Sequence, residues 1–195
     1  MAKRKNRKKK FSYPQEWEQN FCQEFERETD RACVILSAAM LEQALDALLK
    51  AYLVPITGKD TLLDDVYSPI SSFNAKIDLC HRIGLISAKF CRDLHLIRRI
   101  RNDFAHDVSG CNFNNNDVRS RVLEIRRSSH LIDRNPNFRK DFQPGIKGDF
   151  EMSVSWMLWY LWAYVQDITS IEEAQEEFGY NATFRERKKK KKSGK

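Results

Sequence analysis

The sequence predicts an all-α fold: a single helical-bundle domain carried between two basic tails. Apolar residues recur at three- and four-residue steps along most of the chain, the spacing of amphipathic helices, and no convincing strand pattern competes with it. Only seven glycines and five prolines interrupt the 195 residues. That length fits one domain of ordinary size with enough chain to bury a core. The organisation expected is a disordered Lys/Arg-rich tail over residues 1–12, a bundle over 13–180 and a second disordered tail over 181–195.

The elements follow from their punctuation. A first helix is expected from about Pro14 to Glu28 and a longer one from about Asp30 to Tyr52, stopped by Pro55 and Gly58. After a turn-rich stretch through Pro69, Ser71 or Ser72 can cap a helix over Phe73 to Ile83, with Gly84 suited to its C-terminus. Ser87 caps the next, which runs to about His106. Gly110 and Asn112 to Asn116 make a loop, Asp117 starts a helix to about Ser129, and Asn135 to Gly148 is irregular. Asp149 then caps a final helix to about Phe178. That helix holds Trp156, Trp159, Tyr160, Trp162 and Tyr164, aromatic around much of its circumference. A helix apolar on all sides is covered by protein on all sides, so it is either the monomer core or the interface of a homodimer.

Charge separates the tails from the body. The formal net charge is +7, yet residues 1–10 alone carry +7 and residues 185–195 another +7, which leaves −7 for residues 11–184. Like-charge blocks this dense repel themselves and bury nothing. Lys8, Lys9, Lys10, Lys188, Lys189 and Lys190 are the candidate contacts to RNA or DNA, with affinity drawn from counterion release and blind to sequence. The plainer reading of the same runs is solubility.

Five cysteines, Cys22, Cys33, Cys80, Cys91 and Cys111, are widely spaced and odd in number, which argues for free thiols in a reducing, cytoplasmic setting. The residues after Lys10 are no signal-peptide core. The most apolar stretch, Val154 to Val165, is shorter than the about 20 residues a membrane span needs. Four histidines and the scattered cysteines show no zinc spacing, and no glycine loop for phosphate is present, so no metal, cofactor or membrane is expected.

The hexapeptide Arg101-Asn102-Asp103-Phe104-Ala105-His106 is the most informative segment. Arginine offers a permanently charged fork for a phosphodiester oxygen, and histidine is suited to moving a proton near neutrality. Turning about 100° per residue sets Leu94, Ile97, Phe104 and Val108 within about 60° of Arg101, but His106 about 140° away. Arg101 therefore falls in the apolar stripe, and a buried arginine requires an anion. On the Asp30 to Tyr52 helix, Glu42 lies within the stripe of Ile35, Ala38, Leu41, Leu45, Leu48, Leu49 and Tyr52, with Asp46 nearer its edge. A Glu42–Arg101 ion pair joining the two helices is the expectation. His106 near a helix C-terminus suits the helix dipole.

Two family resemblances rest on these residues. Arg-Asn-x-x-x-His on a helix resembles the catalytic signature of the HEPN superfamily. The resemblance implies a metal-independent RNase with a site shared by two subunits: His106 as general acid or base, Arg101 on the scissile phosphate and Asn102 orienting the pair. The second spans roughly Phe21 to Ile125. Arg31 to Glu42, Ser71-Ser72-Phe73-Asn74-Ala75-Lys76-Ile77, Gly84-Leu85-Ile86 and Leu96 to His106, in that order, resemble the mannitol repressor family, MtlR. This implies a helical regulator of transcription. No helix-turn-helix signature accompanies it, and an acidic body repels a phosphate backbone, so the expected route is a protein partner or the tails. The leading expectation is a non-enzymatic MtlR-like regulatory or interaction protein. The alternative is an HEPN-type endoribonuclease.

Overall fold

The computed structural model describes residues 25, 28–65, 67–107, 110–129, 140 and 142–174. Among these, five helices and no strand are present: α1 (Asp30–Tyr52), α2 (Phe73–Arg82), α3 (Ala88–His106), α4 (Asn116–Ser129) and α5 (Ile146–Asp167). The helix expected before residue 29 lies outside the described residues, apart from Phe25 and Glu28, as do both tails.

Side-chain caps set the helix starts. Thr29, Ser72 and Ser87 each accept a hydrogen bond from the backbone N–H three residues on, at 3.2 Å, so α1, α2 and α3 begin with one orphan donor already satisfied. Gly84 ends the α2 turn with φ +83°, a left-handed conformation that glycine adopts without penalty. The amides of Leu85 and Ile86 then turn back to the Cys80 carbonyl at 2.8 and 3.3 Å, which folds α2 tightly against α3.

The helices form a closed ring in which α1 packs on α5, α5 on α4, α4 on α3 and α3 back on α1, while α2 lies over the α1–α3 edge. α1 and α5 are parallel. At their starts Lys147 Nζ donates to the Glu28 carbonyl at 2.7 Å. Beyond their ends the Ile171 amide donates to the Tyr52 carbonyl, also at 2.7 Å. Inside the ring Leu41, Leu45, Ile97, Ile100, Phe104, Val122 and Val154 are fully buried. Phe113, on the loop before α4, stands between Phe104 of α3 and Phe150 of α5, with ring centroids at 5.5 and 5.3 Å. Edge-tilted aromatic contacts of this kind add to the area they bury.

The last helix departs from expectation at both ends. It starts at Ile146, three residues before Asp149, and ends at Asp167 rather than near Phe178. Asp149 is not the cap, because its carboxylate is buried and engaged by Arg126 Nη1 at 2.9 Å. The far end is set where Ile168 turns extended and the chain reaches Tyr52. Burial divides this helix as well. Gly148 to Ser155 is buried at every position, whereas the aromatic half beyond it is only partly covered and Tyr160 is exposed.

α1 has the length and apolarity of a membrane span, yet half of its most apolar window is buried inside the bundle. The four described cysteines are free. Burial pushes the Cys33 and Cys80 thiols up, Cys80 to about 12, so both behave as small apolar side chains.

Candidate functional site at the end of helix α3

Two grooves flank the C-terminal half of α3, and the hexapeptide contributes to both. The first, of about 370 Å³, lies between α1, the start of α2 and α3, and is lined by Glu42, Ser72, Asn74, Arg98, Arg101 and Asn102 over an apolar floor. Arg101 is exposed here, and its Nη1 donates to Asn102 Oδ1 at 3.1 Å. The second, of about 680 Å³, lies between the end of α3 and the start of α4. Its walls carry Asp103, His106, Asp107, Cys111, Asp117 and Arg121.

The expected Glu42–Arg101 ion pair is not formed. Glu42 is taken by Lys76 of α2, whose Nζ lies 3.3 Å from Glu42 Oε1 and 3.3 Å from Asp46 Oδ1, while Asp46 also holds Lys50 at 2.8 Å. The Lys76 side chain is only 10% exposed, so this is the cation that needs its anions. Arg101 escapes burial although its angle on α3 is that of the core. α2 begins only at Phe73, and beside that short helix's start the α1–α3 seam opens to solvent as the first groove. An angle on a helical wheel gives the direction of a side chain; it does not say whether a neighbour extends far enough to meet it.

Lys76 was recoverable from the sequence by the argument that singled out Arg101. Phe73, Lys76, Ile77 and Cys80 are the buried residues of α2, spaced i, i+3, i+4 and i+7, with a lysine in the stripe. Arg98 is a second residue the sequence reading passed over. Its Nε is buried without a hydrogen-bond partner, and among the described residues neither it nor Arg101 enters an ion pair.

In the second groove Arg121 pairs with Asp103, and Arg31 donates to the Asp107 carbonyl just past the end of α3. Acidic groups dominate. The Cys111 thiol on its wall is pushed up by burial, and further by Asp103 and Asp107. His106 is exposed at the last position of α3 and makes no hydrogen bond or ion pair among the described residues. Arg101 and His106 thus open to different grooves, with Asn102 lining both. The six lysines proposed for nucleic-acid contact lie outside the described residues.

Elsewhere on α3, the Asp93 carboxyl is raised by burial, an effect opposed by hydrogen bonds from Ser128 and Arg92. It sits at the floor of a recess of about 440 Å³ walled by Phe90, Trp156, Met157 and Tyr160. The described residues also bring Asp78, Cys91 and His95 together as potential metal donors between α2 and α3.

A closed helical ring with an added short helix, and polar grooves at one end of α3, defines the protein as an all-α bundle whose candidate surface is built on helix ends. That architecture is shared with a chain from the X-ray structure of the MtlR–HPr complex from Escherichia coli. The TM-score is 0.55 at 16% sequence identity, covering 77% of this chain and 99% of that one. The likeness shows an MtlR-like fold. No protein-family model matches the sequence, and no curated protein matches it. The HEPN resemblance of the hexapeptide gains no support from these comparisons.

Proposed function

We propose that this is a regulatory protein that acts by binding another protein, and that its MtlR-like bundle is the docking scaffold. The observation that carries the reading is the extent of the fold likeness: 99% of the neighbouring chain is matched, and that chain comes from a complex with HPr. The body's net −7 between residues 11 and 184 favours a protein partner over the phosphate backbone of a nucleic acid. If transcription is the output, repression runs through the partner or through the Lys/Arg tails. The reading also sets the protein in the cytoplasm as a homodimer, for which the partly uncovered aromatic half of α5 offers an apolar face.

The experiment is a calorimetric titration of the purified full chain with the HPr protein of its own source organism, alongside transcript measurement after deletion of its gene. Saturable binding with altered transcription is expected. The reading fails if no binding occurs and the protein instead cleaves RNA without metal, with cleavage lost in His106→Ala while the fold survives. That outcome would favour the HEPN-type RNase and place His106 in its site, with Arg101 and Asn102 as the next residues to substitute.

A further inference from the structure

The seam between α2 and α3 holds an imidazole, a carboxylate and a thiol in one cluster. His95 Nε2 lies 3.0 Å from Asp78 Oδ1, and the Cys91 Sγ completes a set of three donor atoms that all lie within 4.8 Å of one another. Cys91 and His95 are four residues apart on α3, so one helical turn sets them on the same face toward α2. Asn74 Nδ2 donates to the other oxygen of Asp78, Oδ2, at 2.9 Å, leaving Oδ1 turned to His95. The tight Gly84 turn holds the two helices in this register.

A histidine–aspartate pair alone would be an ordinary surface ion pair. The thiol sets this cluster apart. Cys91 is buried and its sulfur makes no hydrogen bond among the described residues, yet that sulfur lies beside a carboxylate, where a negative thiolate is unfavourable unless a cation is present. Burial and Asp78 both push that thiol up. A divalent cation reverses the electrostatics, since a coordinated thiol loses its proton outright.

We propose that Asp78, Cys91 and His95 form a binding site for one divalent transition-metal ion of the zinc class. The mixed sulfur, nitrogen and oxygen donor set suits that class over magnesium or calcium, which take oxygen ligands. In a tetrahedral site, ligand atoms about 2.0–2.3 Å from the metal stand roughly 3.5 Å apart. The three groups reach that spacing by closing on the ion. Asp78 and His95, with 54% and 24% of their side chains exposed, have the freedom to do so. On binding, the Cys91 S–H proton passes to solvent as the sulfur–metal bond forms, and the metal takes the place of the contact between His95 and Asp78. The exposed Asp78 side leaves the fourth position to water. Such a site clamps α2 onto α3 independently of any protein partner.

The test uses the full chain, reduced and stripped of metal, titrated with Co²⁺ as a spectroscopic stand-in. A thiolate-to-cobalt charge-transfer band that saturates at one ion per chain and is displaced by Zn²⁺ is expected. Cys91→Ser should abolish the band. His95→Gln, which leaves every thiol in place, should weaken Co²⁺ binding roughly tenfold or more, and circular dichroism checks that each variant is folded. Zn²⁺ should raise the melting temperature of the parent and not of His95→Gln. The proposal is overturned if no band saturates at one equivalent. It is equally overturned if the band persists in Cys91→Ser, which would assign the metal to another thiol.

Discussion

The two grooves at the end of α3 are built from consecutive residues of one helix and yet differ in kind. In the α1–α2–α3 groove, Arg98 and Arg101 stand without carboxylate partners, because Lys76 has already engaged Glu42 and Asp46. In the α3–α4 groove the balance is reversed, with Asp103, Asp107 and Asp117 set against Arg121 and His106. Residues adjacent in sequence therefore face opposite electrostatic surroundings, and a six-residue motif read as one catalytic unit is divided by the helix that displays it. A site using Arg101 and His106 together would draw on two surfaces, the arrangement that a two-subunit enzyme would need.

The core face of α3, behind the grooves, is where a substitution costs most. Phe104 is fully buried against Phe113, and Phe104→Ala is expected to cost about 3–5 kcal/mol through the cavity it leaves. Denaturant unfolding would measure it. A loss under about 1 kcal/mol would mean that the end of α3 is not anchored in the core.

A pair of variants sharpens the contrast between the two cations near Glu42. Lys76→Met should cost about 2 kcal/mol, less than for a fully buried pair because the Glu42 side chain is 34% exposed. Arg101→Ala should fall within about 0.5 kcal/mol of the parent, as exposed substitutions usually do. Equal costs for the two would restore Arg101 as the helix-joining residue.

Smaller effects follow in the acidic groove. Arg121→Ala removes a pair whose carboxylate side chain is 41% exposed, so about 0.5 kcal/mol is expected, fading when melting is repeated in high salt. His106→Ala should change melting least, by a few tenths of a kcal/mol from the helix dipole. A much larger loss would reveal a structural role that the exposed side chain does not suggest.

What was legible in the sequence was local chemistry. Serines before apolar periodicity located the starts of α2 and α3, the glycine after α2 located its turn, and the bounds of α1 and α3 match the expected ones. What escaped depends on partners remote in sequence. The role of Asp149 is set by Arg126 of α4, and the course of the chain after α5 by the Tyr52 carbonyl, neither of which the residues of α5 announce. The exposure of Arg101 depends on where a different helix begins. The donor cluster was not read from the sequence, where no zinc spacing is present, because its third member, Asp78, comes from a different helix, α2. The tails and their lysines were read from charge alone, and the structure adds nothing to that reading.

The backbone bond from Ile171 to Tyr52 fixes Ile171 at one pole of the bundle. Arg31, in the first turn of α1, reaches the residue after His106, whereas Tyr52 closes the same helix 23 residues long. At 1.5 Å per residue the two ends stand roughly 34 Å apart. A probe attached at Ile171 itself therefore sits at the pole remote from His106, about a helix length from the acidic groove.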